Sequence, residues 1–204
     1  MIAIVDYGVG NLFSLHSSIA FIGAESEVTG DADALHRADK IILPGVGAFA
    51  DAAAKLRAGG LDAVIREETN AGKPLLGICL GMQLLLDRSF EYGIHEGLGL
   101  IHGDVVPIRP VVSEKTKVPQ IGWNALRFPD GERHPIFKKT RPGDFVYFVH
   151  SYFADHCAES TIAVTDYEAV LTAAVARENV CGVQFHPEKS GDVGLNILRA
   201  FCEM

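Results

Sequence analysis

A cysteine between two glycines is the sharpest chemical signal in the chain. Residues 77–81 are Gly-Ile-Cys-Leu-Gly, after a short apolar run at 74–78 and before good helix formers at 82–86. This pattern predicts a strand, a strained turn that glycines permit, and a helix that begins beside an exposed nucleophile. Unpaired amide groups at the start of a helix favour a thiolate and can bind an oxyanion. We therefore predict that Cys79 is a nucleophile and that the Leu80 amide is an oxyanion donor.

A base and an acid that could orient it lie together near the end of the chain, in the sequence His186-Pro187-Glu188. A proline favours an extended backbone at the residue before it, and residues two apart in an extended chain point to the same side. Glu188 can then hold the imidazole of His186, which would take a proton from Cys79 and deliver it to a leaving amine. The three residues together predict acyl transfer through a thioester.

Two other glycine-containing loops follow predicted strands. Residues 44–47, Pro-Gly-Val-Gly, come after the apolar run 40–43. In an open α/β sheet this loop borders the same crevice as the Cys79 turn, so it either completes an oxyanion site or only connects a strand to a helix. The loop with Gly8 and Gly10 has Phe13 where a dinucleotide fingerprint needs a third glycine, and the sequence contains no phosphate-binding loop of the Walker type. We therefore expect no nucleotide cofactor.

Composition excludes several classes of function. A chain of 204 residues has room for one well-buried core, so we predict a single domain over residues 1–204. The formal net charge of -8 repels phosphate backbones, so nucleic acid is not an expected partner. The sequence has no apolar run of about 20 residues and no cationic start of a signal peptide, which predicts no membrane association and a cytoplasmic location. The cysteines and histidines lack zinc-site spacing, so we expect free thiols and no metal.

The order of the elements predicts an α/β fold. In the first half, short apolar strands alternate with helical segments, as in a parallel sheet with helices on both faces. In the second half, the apolar segments are short and separated by prolines, which predicts antiparallel or mixed strands added to that sheet. A last helix is expected from near Asp192, with Leu195, Leu198 and either Phe201 or Cys202 on its apolar face.

These motifs resemble those of a known family, the class I or triad glutamine amidotransferases. The resemblance lies in residues 77–83 (Gly-Ile-Cys-Leu-Gly-Met-Gln), 44–49 (Pro-Gly-Val-Gly-Ala-Phe) and 185–188 (Phe-His-Pro-Glu). Within that family, residues 6–11, 120–124, 147–152 and 186–190 resemble the glutaminase subunits of imidazole glycerol phosphate synthase. The resemblance covers nearly the whole chain, and no triad position departs from it.

The resemblance implies a fold, an activity and a partner. It implies a flavodoxin-like, largely parallel sheet with antiparallel additions, and hydrolysis of L-glutamine to glutamate and ammonia. By the same implication, the partner is a (β/α)8-barrel synthase subunit that forms a heterodimer with this chain and receives the ammonia. The roles that it implies are a triad of Cys79, His186 and Glu188; oxyanion groups at Gly45, Val46 and Leu80; a glutamine pocket of Gly47, Gln83, His150, Ser151 and Tyr152; and a subunit junction at Trp123, Asn124, Tyr147 and Lys189.

Three other functions remain open from the sequence. A triad glutaminase that serves anthranilate, aminodeoxychorismate or pyridoxal phosphate synthesis would have the same triad, because the triad does not reveal the ammonia acceptor. A γ-glutamyl hydrolase or cysteine peptidase could use the same turn without a partner. The third alternative is a catalytically inactive interaction module of flavodoxin type, against which the intact triad argues. We also expect the peptide between Gly45 and Val46 to be a switched element, since neighbouring glycines ease a backbone rearrangement.

Overall fold

The computed structural model describes residues 1–129 and 133–204. The strands are β1 (Ile2–Val5), β2 (Ser26–Thr29), β3 (Lys40–Gly45), β4 (Leu75–Cys79), β5 (Arg88–Ser89), β6 (His95–Glu96), β7 (Asp104–Pro107), β8 (Gln120–Arg127), β9 (Phe145–His150), β10 (Tyr152–Asp155), β11 (Thr161–Tyr167), β12 (Ala169–Arg177) and β13 (Val180–Val183). The helices are α1 (Leu12–Phe21), α2 (Ala32–Arg37), α3 (Phe49–Ala58), α4 (Leu61–Asn70), α5 (Leu80–Leu84) and α6 (Gly191–Cys202).

A nine-stranded mixed sheet, in the order β2-β1-β3-β4-β13-β12-β11-β8-β9, forms the centre of the molecule. The first five strands in that order are parallel, and the others pair antiparallel. Strands β1 and β4 are buried along their whole length, which explains why their sequences are apolar throughout instead of alternating. The α/β fold with antiparallel strands from the second half of the chain is confirmed.

Helices cover the parallel strands on both faces. Side chains of α2, α3 and α4 pack on one face, with Phe49 and Ile65 fully buried there. Side chains of α1 and α6 pack on the other face, where Leu15 and Phe201 join the core. A second sheet of four strands, β10-β7-β5-β6, lies beyond the first face and closes over β12 through contacts of β10. Within the described residues, no helix is both long enough and apolar enough to span a bilayer.

Two helices differ in detail from what their sequences suggest. Asn11 precedes α1 at the capping position, but its side chain makes no capping hydrogen bond. In α6 the buried face contains Ile197, Leu198 and Phe201, whereas Leu195 remains partly exposed. The core therefore meets α6 on a face rotated slightly from the one that the spacing predicts, because Gly194 fits directly against the backbone of Pro187 and draws the helix close there.

The parallel strands place three chain segments at one edge of the sheet. Residues Gly45 and Cys79 are paired partners at the carboxyl ends of β3 and β4, and β13 runs parallel to β4 on its other side. In open α/β sheets the crevice outside the carboxyl ends of the strands is where ligands bind. The loops that follow β3, β4 and β13 therefore meet in one crevice.

Candidate active site

The turn at Cys79 is sharp and strained. Strand β4 ends at Cys79 and α5 begins at the next residue, and Cys79 has a φ of 55° and a ψ of -111°. A positive φ costs a residue with a side chain about 1–3 kcal/mol, and such strain is concentrated at active sites. The turn places Cys79 directly before α5, whose first amide groups have no partner within the helix, and Cys79 itself is only 7% exposed.

The flanking glycines supply space instead of backbone freedom. Neither Gly77 nor Gly81 has a positive φ, so the expectation that they permit the strained turn by conformation was wrong. A Cβ at Gly77 would lie 2.7 Å from the carbonyl oxygen of Gly81, and a Cβ at Gly81 would overlap the carbonyl oxygen of Leu43. The turn therefore requires glycines because three backbone segments touch there.

His186 and Glu188 form a buried hydrogen-bonded pair. His186 Nδ1 lies 2.8 Å from Glu188 Oε1, and each side chain is 3% exposed. The His186 backbone is extended, but Glu188 returns to the ring through a 3₁₀ turn at Pro187–Lys189 and not through continued strand. The other carboxylate oxygen, Glu188 Oε2, is buried and has no hydrogen-bond partner among the described residues.

The surroundings of His186 favour its charged form. Burial lowers the pKa of His186, but hydrogen bonds to Cys79 and Glu188, together with their negative charges, more than offset this and raise it to about 9. An imidazolium is then the dominant form at neutral pH, and His186 lines the same cavity as Cys79. The arrangement can therefore hold a thiolate and an imidazolium next to each other.

The loop after β3 begins packed and becomes open. A Cβ at Gly45 would lie 2.8 Å from the Tyr7 hydroxyl, and that hydroxyl donates a hydrogen bond of 2.8 Å to the carbonyl of Pro44. Burial and the charge of Cys79 raise the pKa of Tyr7, so it remains a donor. In contrast, Val46 is 40% exposed, and Gly47 has a φ of +96° with no described atom within 4 Å of a Cβ built on it.

A cavity of about 410 Å³ opens beside Cys79 and His186. It brings together most of the residues expected to bind glutamine or an oxyanion, and its wall consists of Val46, Gly47, Cys79, Leu80, Gln83, Glu91, Pro119, Val149, His150, Ser151, Tyr152, His186 and Lys189. Gly45 does not reach this wall. It lies behind, at a smaller void that also touches His186 and Glu188. The volume is in the range of cavities that bind small molecules.

The far wall of the cavity is fixed by the carbonyl of Tyr152. His150 Nδ1 donates to it at 2.8 Å and Gln83 Nε2 donates to it at 3.0 Å. Burial, with a smaller contribution from the charge of His186, lowers the pKa of His150 to about 4 despite the hydrogen bond to Tyr152. His150 is therefore neutral at pH 7 and is a structural donor, not a second base.

Sequence reasoning missed three residues of the site. Glu91 lies on the cavity wall, where its carboxylate accepts a hydrogen bond of 2.5 Å from the Phe49 amide at the start of α3. Gln184 is fully buried next to Cys79, and Tyr7 supports the loop after β3. Gln184 is a polar residue at the end of an apolar strand, which is a usable sequence signal. Glu91 carries none, because it comes from an irregular segment after β5.

An exposed aromatic edge lies next to the cavity. Trp123 on β8 and Tyr147 on β9 are paired residues whose ring centroids are 4.8 Å apart, and Lys189 Nζ lies 5.7 Å from the centroid of the Tyr147 ring. Trp123 is 59% exposed. Asn124 is not part of this edge: its side chain faces the other side of β8, where Asn124 Oδ1 accepts a hydrogen bond from Gln120 Nε2.

No metal centre accompanies these groups in the described part of the chain. Within residues 1–129 and 133–204, no three side chains of histidine, cysteine, aspartate or glutamate are close enough to hold an ion. The groups that the site itself offers are a thiol, an imidazole, a carboxylate and backbone amides.

Comparison with known proteins gives the family of this chain. The family model for class-I glutamine amidotransferases matches residues 3–203. The chain belongs to the class I glutamine amidotransferase family. Proteins named imidazole glycerol phosphate synthase subunit HisH are similar to this amidotransferase over their whole length. The one from Sulfurimonas denitrificans is 48% identical and the one from Methanosarcina mazei 47% identical, each covering 100% of this chain and 98% of the relative. The relative from Wolinella succinogenes is 43% identical over 100% of both chains.

Solved structures of amidotransferases share the fold. One described as a glutamine amidotransferase has a TM-score of 0.77 at 18% identity and covers 100% of this chain and 98% of that one. The structure of PurLQS from Thermotoga maritima has a TM-score of 0.76 at 20% identity, covering 99% of this chain and 97% of that chain. At this level of identity the likeness concerns the fold alone, and it supports the α/β architecture of this amidotransferase.

Proposed function

We propose that this chain is the glutaminase subunit of an imidazole glycerol phosphate synthase in histidine biosynthesis, and that residues 1–204 act as one glutaminase domain in the cytoplasm. The observation that carries the glutaminase activity is the strained Cys79 turn, which lines one cavity together with His186 of the buried His186–Glu188 pair. The choice of synthase is supported by the full-length relatives, which are subunits of that enzyme by name.

In the first half-reaction the Cys79 thiolate attacks the side-chain amide carbon of L-glutamine. The negative charge that develops on the amide oxygen is stabilised by backbone N–H groups, for which we assign the Leu80 amide and the peptide between Gly45 and Val46. His186 gives its proton to the amide nitrogen, the carbon–nitrogen bond breaks, and ammonia leaves. A γ-glutamyl thioester remains on the sulfur.

In the second half-reaction water attacks the thioester. Neutral His186 takes a proton from that water, the carbon–sulfur bond breaks, and glutamate leaves with the thiolate and imidazolium restored. Glu188 holds the ring through Nδ1 at 2.8 Å in both steps, so Nε2 stays available for proton transfer. The buried carboxylate also stabilises each imidazolium that forms.

The cavity offers a place for the amino-acid end of glutamine. We propose that Glu91, whose carboxylate lies on the wall of the cavity, pairs with the α-ammonium group, and that Gln83, Ser151 and Tyr152 bind the rest of the substrate. Gln83 donates both of its N–H bonds to protein acceptors, so it can present only its carbonyl oxygen to the substrate. The pocket would then prefer glutamine over glutamate, which lacks the amide donor.

A partner that receives ammonia needs a closed junction, because free ammonia is mostly protonated at neutral pH and escapes by diffusion. The exposed aromatic edge of Trp123 and Tyr147, with Lys189, lies beside the cavity and is suited to such a junction. We propose that a (β/α)8-barrel synthase subunit docks on it, forming a heterodimer, and that docking with acceptor bound activates the glutaminase.

The test is reconstitution. A candidate barrel synthase is co-purified with this chain, and glutamine hydrolysis is measured with and without the phosphoribosyl aminoimidazole carboxamide substrate. We expect slow hydrolysis by the isolated chain and a large increase when both partner and acceptor are present. Trp123→Ala should weaken complex formation without preventing ammonia-dependent turnover by the synthase. If the isolated chain, the complex without acceptor and the complex with acceptor all hydrolyse glutamine at the same rate, the chain is a free-standing hydrolase.

A further inference from the structure

Gln184 is a buried amide whose position is fixed by the sheet. It is 0% exposed and follows directly after β13. Its backbone N–H donates a hydrogen bond of 2.8 Å to the carbonyl of Ala173 on β12, so the ladder continues through this residue. A buried amide group needs hydrogen-bond partners for its donors and its acceptor. The partners of the Gln184 side chain are Cys79 and Gln83, both on the wall of the cavity.

The amide of Gln184 bridges the nucleophile and Gln83. Its Nε2 lies 3.7 Å from Cys79 Sγ, and its Oε1 accepts a hydrogen bond of 3.0 Å from Gln83 Nε2. All three side chains are buried, and Gln83 Nε2 makes its second hydrogen bond to the carbonyl of Tyr152 at 3.0 Å.

Only one orientation of the two amides satisfies this chain of contacts. The Tyr152 carbonyl can only accept, so the NH₂ group of Gln83 must face it. The same NH₂ group then gives its other hydrogen to Gln184 Oε1, which leaves the NH₂ group of Gln184 directed at the sulfur. The network therefore aims a donor at Cys79 before any substrate is bound.

We propose that Gln184 is a further catalytic residue, which donates an N–H hydrogen bond to the Cys79 thiolate and stabilises it. This inference rests on the proposed role of Cys79 as the nucleophile. A hydrogen bond to an ionised acceptor is roughly twice as strong as one between neutral groups, so the contact favours the thiolate over the thiol.

Gln184 and His186 have different roles toward the sulfur of Cys79. His186 must give its proton to the leaving nitrogen, and its support of the sulfur changes during each turnover. An amide N–H does not ionise at physiological pH, so the hydrogen bond from Gln184 remains whenever the thiolate forms. It stabilises the sulfur anion when the thioester breaks, at the moment when His186 has just become protonated again.

The test measures the ionisation of Cys79 directly. Purified chain is alkylated with iodoacetamide between pH 5 and 10, and peptide mapping follows the rate at Cys79 alone, as the sulfur displaces iodide. In Gln184→Met the donor is lost at similar side-chain volume, and we expect the midpoint of the rate profile to rise by about one pH unit. In Gln184→Glu a carboxylate faces the sulfur, and the rise should be larger.

The two variants answer different questions. Gln184→Glu keeps an oxygen that accepts the hydrogen bond of Gln83 and adds a negative charge beside the sulfur, so a raised midpoint shows that this side chain faces Cys79. Gln184→Met removes the donor without adding a charge, so a raised midpoint shows that the donor stabilises the thiolate. A normal midpoint in the glutamate variant would overturn the proposal. Gln120→Met is the matched control, since Gln120 is also 0% exposed but bonds to Asn124 away from the sulfur.

The control variant Gln120→Met also decides the question if the glutamate variant does not fold. If Gln184→Glu does not fold, Gln184→Met against Gln120→Met decides: a shift in the first alone supports the proposal, and equal shifts overturn it, because lost packing would then explain both. The readout needs no synthase and no acceptor. Failure of the proposed synthase function therefore leaves it unchanged, whereas an unreactive thiol in the unmodified chain would contradict the nucleophile itself.

Discussion

Two walls of the same cavity are built in opposite ways. At the turn of residues 77–81, which we call the elbow, a Cβ on Gly77 would meet the backbone of Gly81, and a Cβ on Gly81 would meet the backbone of Leu43. At Val46 and Gly47, which we call the open loop, the side chain of one is 40% exposed and the other has no described atom near its missing Cβ. One wall is held by packing, and the other is not.

The change from packed to open backbone occurs between Gly45 and Val46. Gly45 is packed against the Tyr7 hydroxyl and pairs with Cys79 in the sheet, but the next residue leaves the core. A nucleophile must be held in a strained geometry, which requires contacts on every side. A backbone amide that changes its direction needs space, which the open loop has. This difference favours the peptide between Gly45 and Val46 as the element that a bound partner would switch.

The largest effect is expected at the elbow, from removal of the sulfur. Cys79→Ala should reduce glutamine hydrolysis by about 10⁴-fold or more, since no other group can form the thioester. Synthase turnover with added ammonium salt should be unchanged in the complex. Cys202→Ala is the control, because that thiol lies in the last helix away from the cavity. Glutamine-dependent turnover that survives Cys79→Ala would remove the elbow from the mechanism.

The comparison of the two walls is itself tested by two glycine substitutions. Gly81→Ala places a Cβ on the carbonyl oxygen of Leu43, and we expect a loss of more than about 3 kcal/mol in the free energy of unfolding. Gly47→Ala meets no described atom and only strains a φ of +96°, for about 1 kcal/mol. Urea unfolding of both variants measures the difference. Similar losses would show that the open loop is as constrained as the elbow.

Much of the elbow can be predicted from sequence, because the chemistry there depends on residue types at fixed spacing. Cysteine between glycines after an apolar strand predicts both the turn and the nucleophile, and His186-Pro187-Glu188 predicts its partners. The reason for the glycines could not be predicted, since the contact of Gly81 with Leu43 joins the start of α5 to β3, which are far apart in sequence. The sequence shows that a small residue is needed, but not which atoms require it.

Other parts of the site depend on tertiary structure. Glu91 reaches the cavity because the small second sheet carries the segment after β5 to the start of α3, and local patterns do not encode that path. The opposite orientations of Trp123 and Asn124, in contrast, follow from the two-residue period of a strand. Their adjacent sequence positions alone therefore indicate that their side chains point to opposite faces of β8.

A third prediction concerns His150, which is a buried residue on the wall of the cavity. Its pKa is lowered to about 4 in the folded chain from 6.5, so between these values the unfolded chain binds more protons. Its contribution to stability is therefore present above pH 6.5 and is lost as the pH falls towards 4, by about 2 kcal/mol between pH 7 and pH 5. His150→Gln should reduce this decline, measured by urea unfolding at both pH values.

The matched control for this effect is an exposed histidine. His102 has a side chain that is 86% exposed, so His102→Gln should leave the acid-dependent decline in place. If the stability of His150→Gln falls between pH 7 and pH 5 as much as that of the unmodified chain, burial at the cavity wall does not keep the His150 imidazole neutral.

The smallest expected effect is a change in the pH profile of catalysis. His186 must be protonated to release ammonia, and its pKa is raised to about 9, so kcat/KM should fall as the pH rises through that value. Glu188→Gln removes one cause of the raised pKa but keeps the other, which is the neighbouring Cys79. The alkaline limb should therefore move to lower pH, with about a tenfold loss at pH 8. Glu178→Gln, on the exposed surface, is the control. An alkaline limb that stays near 9 would mean that the thiolate alone sustains the imidazolium, and that the buried carboxylate contributes position without charge.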